Sequence, residues 1–455
     1  MEMVLEFLRD VLSQPALLIG IMSCVGLVAL KRPFHKVMTG TLKPILGYLM
    51  LAAGAGVIVS NLDPLGKMIE HGFHITGVVP NNEAIVAVAQ KVLGVETMSI
   101  LVVGLLMNLC IARFTKFKYV FLTGHHSLFM ACLMSAVLGT AGLSGMELIL
   151  VGGFLMGAWS AISPAIGQSY TSKVTDGDEI AIGHFGSLGY YLSAWVAQYV
   201  GKAEDSTEDI EIPEKWGFLR DSTLSTALTM IVFYLIAAIA AGSEFVSTLS
   251  GDMSPYLYAV MSAMNFAVGV TIVYSGVRMI LGDLIPAFQG IATKIIPNAI
   301  PAVDCAVFFT YAPTAVVLGF LSSFIGGIIG MLILGAVGGV LIIPGLVPHF
   351  FCGATAGIYG NATGGRRGAA VGAFLNGLAI TFLPAMALPV LGQLGFQNTT
   401  FGDADFAVMG LALGNAYEWV GMAGIYGIVA IAALVLIIPN FIKTKGKVIN
   451  YVEED

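Results

Sequence analysis

Apolar runs of about the length of a membrane span recur along this chain of 455 residues. A transmembrane helix needs roughly 20 apolar residues, and the bilayer core offers no water to an unpaired backbone, so such runs fold as helices. Charged residues make up 11% of the chain, against about 25% in a soluble domain. We predict an all-α polytopic membrane protein with about eleven transmembrane helices. The runs cover residues 15–30, 44–60, 97–112, 124–143, 146–162, 224–241, 256–280, 321–343, 345–359, 369–391 and 419–441.

Two segments repeat one pattern at a fixed offset. Pro-Asn-Asn-Glu beginning at Pro80 corresponds to Pro-Ala-Val-Asp beginning at Pro301, since 301 − 80 = 221. Leu-Thr-Gly at 122–124 corresponds to Ile-Pro-Gly at 343–345 at the same offset. Five predicted spans separate the copies, and an odd number inverts the second copy relative to the first. We predict an inverted repeat with short or re-entrant helices near both prolines and a substrate site near the midplane.

Basic residues give the orientation, because Lys and Arg are retained on the cytoplasmic side of membrane spans. Threading eleven spans alternately places every basic cluster inside, with the N-terminus outside and the C-terminus in the cytoplasm. The clusters lie at Lys31, Arg32, Lys36 and Lys43; at Arg113, Lys116 and Lys118; at Arg366 and Arg367; and at Lys443, Lys445 and Lys447.

Several other classes of site are not indicated. The five cysteines are scattered in apolar surroundings and have neither a disulfide pattern nor zinc spacing. The glycine-rich tract at 360–368 lacks the Lys-Ser/Thr ending of a phosphate loop. We expect no metal site, no cofactor and no nucleic-acid partner. The acidic segment at 201–222 is expected to be a cytoplasmic linker, either simply solvated or a docking site for a partner protein.

Polar residues in or beside spans are costly to bury and are therefore candidate functional residues. Glu83 and Asp304 could accept hydrogen bonds from substrate hydroxyls, or could act as helix caps. His125 and His126 open the fourth span, where we expect only one to face inward. His184 follows the fifth span and could bind a ligand, relay a proton, or lie in a solvated loop.

A set of motifs, taken in order along nearly the whole chain, resembles one known family. That family is the membrane-embedded IIC component of the ascorbate-specific, phosphoenolpyruvate-dependent phosphotransferase system (PTS). The motifs are Leu-Thr-Gly-His ending at His125, Val-Thr-Asp-Gly at 174–177 with Ile-Gly-His ending at His184, Ala-Val-Asp-Cys-Ala at 302–306, Ala-Pro at 312–313 with Ala-Val-Val at 315–317, and Ile-Ile-Pro-Gly at 342–345 with Pro348, Phe350 and Phe351.

The resemblance implies a homodimer in which each protomer has a scaffold domain and a mobile core domain that moves like an elevator. The core would contain both re-entrant hairpins. The expected divisions are 1–60 and 223–281 for the scaffold, 61–200 and 282–417 for the core, 201–222 for the acidic linker, and 418–455 for the final helix and cytoplasmic tail.

The resemblance also implies a function. The chain would be a permease of the bacterial inner membrane that imports L-ascorbate or a related sugar acid or sugar. A separate, soluble IIB protein carrying phosphocysteine would phosphorylate the substrate, after a IIA protein has charged it. Phosphoryl transfer would be catalysed together with IIB, and we assign no catalytic residue to this chain.

Carrying the family's ligand positions onto this sequence gives a candidate substrate site. The resemblance puts Phe129 and Phe185 where ascorbate transporters have glutamine, so two amide contacts are replaced by aromatic rings. We therefore expect an altered substrate preference. The glycines at 54–56 could instead serve helix packing. The candidate residues are His125, His184, Asp304, Gly54, Ala55, Gly56, Asn82, Glu83, Phe129 and Phe185.

Other functions remain compatible with the same residues. One is an ion-coupled or uncoupled carrier in which Glu83 or Asp304 titrates. Another is the same phosphotransferase system with a different sugar or a polyol as substrate. A third is a membrane receptor that binds a ligand without moving it.

Overall fold

The computed structural model describes residues 11, 14–74, 77–80, 82–210, 222–392 and 399–441. The predicted tail beyond residue 441, part of the acidic linker and the first ten residues lie outside this description. The helices are α1 Pro15–Ala29, α2 Phe34–Phe73, α3 Asn82–Phe114, α4 Gly124–Thr140, α5 Gly145–Thr175, α6 Ser187–Val200, α7 Ser222–Ala241, α8 Ser243–Ser250, α9 Pro255–Lys294, α10 Pro313–Ala336, α11 Leu346–Gly392, α12 Ala404–Val420 and α13 Met422–Ile437. The strands are β1 Val79–Pro80, β2 Tyr119–Phe121, β3 Ala181–Ile182, β4 Ile300–Val303 and β5 Thr399–Thr400, and 3-10 turns cover Cys305–Thr310 and Ile438–Phe441.

Seven helical segments of the described chain are long and apolar enough to cross a membrane, and a bent pair would make an eighth. The bent pair, Thr226–Ala241 with Ser243–Ser250, turns through 116°. These segments confirm a helical polytopic membrane protein, while the count of eleven spans stays a prediction. The seven are Phe34–Phe73, Val95–Phe114, Gly145–Thr175, Pro255–Ile280, Pro313–Ala336, Leu346–Pro389 and Met422–Phe441.

The long helix α11 contains a sharp break. Gly364 and Gly365 have non-helical backbone angles, and φ at Gly365 is +59°, which favours glycine. The break accounts for two separately predicted spans, 345–359 and 369–391, within one 47-residue element. It therefore divides the element into two arms, which correspond to the two predicted spans.

Helices α2 and α9 are longer than the sequence pattern predicted. Each has 40 residues, so the expected divisions after residues 60 and 281 both fall inside a helix. Their final segments contain Pro64 and Pro286 and continue the helix beyond the predicted spans. The proline bends a helix without ending it when neighbouring helices compensate for the lost hydrogen bond.

The helices form two packing groups. In the first, α9 packs along α2, and α1 and α7 pack against both of them. In the second, α11 packs with α10 and α6, while α3 packs with α4 and α5. Contacts between the groups are sparse, and the largest share involves the 3-10 turn after β4 and the start of α11.

Close approach between α2 and α9 depends on glycines that face each other. A Cβ atom on Gly54 would lie 2.7 Å from the carbonyl oxygen of Gly269, and one on Gly269 would lie 2.9 Å from that of Gly54. Gly47 and Gly276 face each other in the same way. Small residues at such positions allow two backbones to approach, which is how membrane helices commonly pack.

Two small parallel sheets interrupt the helices. In one, β4 lies between β2 and β3. In the other, β1 pairs with β5, and Val78 forms a further parallel bridge with Ile342. All four residues of β4 are buried, and its backbone groups are paired with both neighbouring strands.

The first part of the acidic linker is packed on the second group of helices. The Glu208 carboxylate accepts hydrogen bonds from the backbone N–H and hydroxyl of Thr314 and from the backbone N–H of Ala315, at 2.9 to 3.3 Å. A carboxylate at this position stabilises the free N–H groups at the start of α10. This part of the linker is therefore a helix cap in addition to a charged surface.

We expect Gly54→Ala to lower the melting temperature of the protein, whereas Gly56→Ala should leave it unchanged or raise it. The added methyl group at Gly54 meets the backbone of α9, but a Cβ on Gly56 has no atom within 4 Å. In an open helical position, alanine gains about 0.5–1 kcal/mol over glycine. Thermal unfolding in detergent measures both variants, and an equal response would show that the glycine contact is unimportant.

Candidate functional site

The candidate site forms where parallel strands end. His125 follows β2 by four residues, His184 follows β3 by two, and Asp304 directly follows β4. Because β2, β4 and β3 are parallel neighbours, their carboxyl ends lie at one edge, and the three side chains converge there. The structure thus brings together the three residues that the resemblance favoured.

His125 and Asp304 form a polar pair at the accessible side of this site. His125 Nε2 lies 3.3 Å from Asp304 Oδ2, and the Tyr48 hydroxyl lies 3.1 Å from His125 Nδ1. The His125 side chain is 38% exposed, whereas the Asp304 side chain is 9% exposed. A neutral imidazole protonated on Nε2 donates to the carboxylate and accepts from the tyrosine, which satisfies both contacts.

Asp304 also caps the turn that follows it. Its Oδ1 accepts a hydrogen bond of 3.0 Å from the backbone N–H of Ala306. The helix-cap role and the ligand role considered for this residue are therefore compatible, because the two carboxylate oxygens have different partners. The capping bond fixes the side chain, and Oδ2 remains directed at His125.

A second, fully buried cluster lies behind the first. The rings of His126 and His184 are 3.7 Å apart at their centroids, and the Tyr190 hydroxyl lies 2.8 Å from His184 Nδ1. Both adjacent histidines thus belong to the site, although we expected only one of His125 and His126 to face inward. His125 contacts Asp304, and His126 contacts His184.

Backbone donors determine the tautomer of the two buried histidines. The N–H of Phe185 donates to His126 Nδ1 at 3.3 Å, and the N–H of Gly186 donates to His184 Nδ1 at 3.1 Å. In the neutral form each ring then carries its proton on Nε2 and offers a donor there. An imidazole N–H is a suitable donor to an oxygen-rich ligand.

The same residues could be considered as metal ligands. Ligand atoms of His126, His184 and Asp403 lie within 4.8 Å of one another, as do those of His184, Asp304 and Cys305. Histidine binds a metal through an unprotonated nitrogen and usually donates its other N–H to an acceptor. Here the Nδ1 atoms accept hydrogen bonds, so an unprotonated Nε2 would require an imidazolate. This arrangement favours hydrogen bonding over metal binding.

Asp403 joins the two small sheets at the buried cluster. It follows β5, and its Oδ2 accepts a hydrogen bond of 2.5 Å from Asn82, which follows β1. The Cys352 thiol donates to Asp403 Oδ1 at 2.8 Å, and His184 Nδ1 lies 3.8 Å from the same oxygen. Asn82 is thus placed at the site through Asp403.

Asp405 is buried next to this cluster and stabilises the loop that carries His184. Its Oδ1 accepts from the backbone N–H of Leu188 at 2.9 Å, and its Oδ2 accepts from Ser187 at 2.8 Å and from the Trp159 indole at 3.2 Å. These bonds tie the start of α12 to the start of α6 and to α5. Asp405 is therefore a structural carboxylate whose partners hold the His184 loop in place.

The aromatic residues at the two expected glutamine positions surround the histidines. The Phe129 ring lies 5.8 Å from that of His125 and 5.7 Å from that of His126. Phe185 is fully buried and stacks on Phe121 at 4.6 Å. Phe129 is thus placed next to the accessible pair, and Phe185 lies in the core behind it.

Four other residues predicted to contact substrate are not among the side chains described at this site. Gly54 faces Gly269 in the packing of α2 against α9, and Gly56 is exposed. The side chains of Ala55 and Glu83 lie outside the described residues. Binding roles for these four residues stay predictions.

Three site residues were missed by sequence reasoning: Tyr48, Thr123 and Asp403. Thr123 and Tyr48 line a small cleft beside Asp304, and the buried Thr123 hydroxyl has no partner among the described residues. Tyr48 and Thr123 carry no charge that would have marked them within an apolar span. Asp403 did carry a signal, since Asp-Ala-Asp at 403–405 lies at the start of an apolar helix.

Comparisons with known proteins identify the family. Residues 10–405 match the family described as the PTS system sugar-specific permease component. The chain is also 26% identical, over 90% of its own length and 71% of the relative's, to a protein of Mycoplasma pneumoniae named the ascorbate-specific PTS system EIIC component. The chain belongs to the family of sugar-specific permease components of the phosphotransferase system.

Proposed function

We propose that this permease imports L-ascorbate or a related sugar acid or sugar across the bacterial inner membrane, coupled to its phosphorylation by a separate IIB protein. The observation that carries the proposal is the convergence of His125, His184 and Asp304 at the ends of three adjacent strands. The unpaired Thr123 hydroxyl beside Asp304 adds a further group for a hydroxyl-rich ligand. The name of the Mycoplasma relative supports ascorbate as the first substrate to test.

Each side chain has a distinct role in this proposal. Asp304 Oδ2 accepts a hydrogen bond from a substrate hydroxyl. The hydroxyl either replaces the His125 Nε2–H at this oxygen or binds to it together with that group. The Nε2–H groups of His126 and His184 donate to substrate oxygens. Each Nδ1 already accepts a hydrogen bond from a backbone N–H, which leaves the ring proton on Nε2. Such a site discriminates strongly against ligands that leave its buried groups unpaired.

The phosphoryl transfer itself would use the partner's chemistry. The sulfur–phosphorus bond of the phosphocysteine on IIB breaks as a substrate hydroxyl oxygen forms a new bond to phosphorus. The hydroxyl proton passes to water, and the cysteine is released as a thiolate. The permease contributes by presenting the substrate hydroxyl, and IIA restores the phosphocysteine.

An inverted repeat is supported by the dimensions of corresponding elements. Helices α2 and α9 both have 40 residues, and their first residues are separated by 255 − 34 = 221. The strand β1 and the strand β4 begin 300 − 79 = 221 residues apart. In each sheet, the proline-containing strand pairs with segments from the other half of the chain.

The two packing groups support a scaffold and a mobile core. Tyr48 lies on α2 in the first group, whereas its partner His125 lies on α4 in the second. Movement of the core past the scaffold would break this hydrogen bond. We propose an elevator-like movement that carries the site with α3–α6 and α10–α12, within a homodimer of eleven-span protomers whose N-terminus is outside.

Uptake into vesicles tests whether transport is coupled to phosphorylation of the substrate. With phosphoenolpyruvate and the soluble PTS proteins inside, including IIA and IIB, ascorbate should appear inside only as the phosphorylated product. Without them, accumulation above the external concentration should be lost. Empty vesicles give the background. Accumulation of unmodified substrate in the absence of the soluble proteins would instead identify a secondary carrier.

Asp304→Asn should abolish most of the ligand-induced rise in melting temperature when ascorbate, other sugar acids and polyols are screened. Removing the charge weakens its hydrogen bonds to His125 and to ligand hydroxyls, and charged hydrogen bonds contribute about 1.5–3 kcal/mol, or at least about tenfold in affinity. Asp63→Asn is the matched control, because Asp63 is exposed and pairs only with Lys67 at 2.8 Å. A full ligand response in Asp304→Asn would remove this residue from the site.

Phe129→Gln should raise the affinity for ascorbate about fivefold relative to the wild type. One neutral hydrogen bond contributes about 1 kcal/mol, which corresponds to this change in affinity. The amide would lie beside His125, where the resemblance places a glutamine. Phe117→Gln serves as the control, since Phe117 packs with Ile111 and Leu436 in a separate apolar cluster. Titration calorimetry with ascorbate measures the difference. Weaker binding in Phe129→Gln would indicate that the aromatic ring itself contacts the substrate.

A further inference from the structure

An open groove on the surface of the helices is separate from the candidate substrate site. It lies between α1 and the final turns of α3 and α9, and has a volume of about 440 Å³. Its walls are almost entirely apolar. The groove is lined by Met22 and Val25 from α1, by Leu109 and Phe114 from α3, and by Ile291 and Ile295 from α9.

One charged side chain, Arg113, lines the groove. It is exposed, and no carboxylate of the described residues forms an ion pair with it. Its guanidinium lies 5.7 Å from the centroid of the Phe114 ring. A cation with no anionic partner thus lies at the edge of an apolar cavity.

A second cation lies next to Arg113. The Lys118 ammonium donates to the carbonyl oxygen of Ala112 at 3.0 Å and reaches that of Arg113 at 3.5 Å. It is therefore held at the carboxyl end of α3, where a positive charge is favoured. Burial lowers the pKa of Lys118, and the neighbouring Arg113 charge lowers it further. Arg113 therefore lines the groove, and Lys118 lies close to it at the same end of α3.

An apolar groove inside a bilayer is filled most readily by an acyl chain, because an empty space forfeits dispersion contacts and water there is unfavourable. Basic pockets between transmembrane helices attract anionic headgroups. Arginine in particular binds phosphate oxygens through two parallel hydrogen bonds. The apolar walls and the cationic rim therefore match the two ends of one kind of molecule.

We propose that this groove binds an anionic phospholipid, with an acyl chain against α1, α3 and α9 and the headgroup phosphate at Arg113 and Lys118. The helices that form the groove belong to both packing groups, since α1 and α9 lie in the first and α3 in the second. The bound lipid would therefore contact both groups at once. This site is independent of the substrate and of the coupling proposed above.

The reactivity of the Cys110 thiol can show whether the groove is occupied. It lines the groove, it is exposed, and it lies three residues before Arg113 on the same helix. Of the other cysteines, Cys24 is partly buried and the remaining three are buried. Alkylation of Cys110 by a membrane-permeant maleimide, quantified on its peptide by mass spectrometry, reports whether the groove is occupied, and Cys24 is the internal reference.

The full chain is tested in nanodiscs of phosphatidylcholine alone and of phosphatidylcholine mixed with phosphatidylglycerol. Phosphatidylglycerol should slow the alkylation of Cys110 several-fold without changing that of Cys24. Native mass spectrometry should detect retained phosphatidylglycerol on the wild type. Arg113→Gln should weaken retention by about tenfold, as expected for a lost charged hydrogen bond, and Arg113→Lys should restore part of it.

Arg278→Gln is the matched control, because Arg278 is an exposed arginine of α9 outside the groove. It should retain the lipid as the wild type does. Equal loss in Arg113→Gln and Arg278→Gln would indicate only general charge attraction and would overturn the site. Equal Cys110 alkylation in both lipid mixtures would overturn it as well. Protection of Cys110 in pure phosphatidylcholine, accompanied by protein cross-links through Cys110, would instead identify a second copy as the occupant.

Discussion

The pairing of short, buried strands is the constraint on which this structure depends. A buried strand cannot hydrogen-bond to water, so β4 must find both of its neighbours within the protein. It finds them in β2 and β3, and parallel pairing places the carboxyl ends of all three strands at one edge. His125, His184 and Asp304 meet because the backbone has no other way to satisfy its polar groups.

The site has two layers with different properties. Asp304 and the half-exposed His125 form the accessible layer, in which one carboxylate oxygen is fixed by Ala306 and the other is available to partners. The inner layer is fully buried and is held by backbone donors to His126 and His184. The inner layer is therefore held in place independently of the outer one, and such preorganised groups favour selective binding.

Sequence patterns predicted the features that depend on long apolar runs and on buried charge. Asp304 and His184 could be found because polar groups near spans are rare and costly. The strands could not, because elements of two to four residues have no periodicity to detect. Asp403 was missed because its role depends on the pairing of β1 with β5. That pairing, like the hydrogen bond from Asn82 to Asp403, joins residues more than 300 positions apart. Packing of Gly54 against Gly269 likewise depends on a partner helix that sequence spacing does not reveal.

The strand pairing also limits how the two halves of the chain could move. β1 comes from the first half and pairs with β5 and Ile342 of the second, whereas β4 comes from the second half and pairs with β2 and β3 of the first. Each half therefore holds a strand of the other, and the bond from Asn82 to Asp403 reinforces this exchange. Separating the halves would leave the backbone groups of both sheets without their partners, at a cost of about 1–3 kcal/mol for each group that stays buried. The two packing groups are joined instead by side chains, among them the hydrogen bond between Tyr48 and His125 and the ring contact between Phe266 and Phe350.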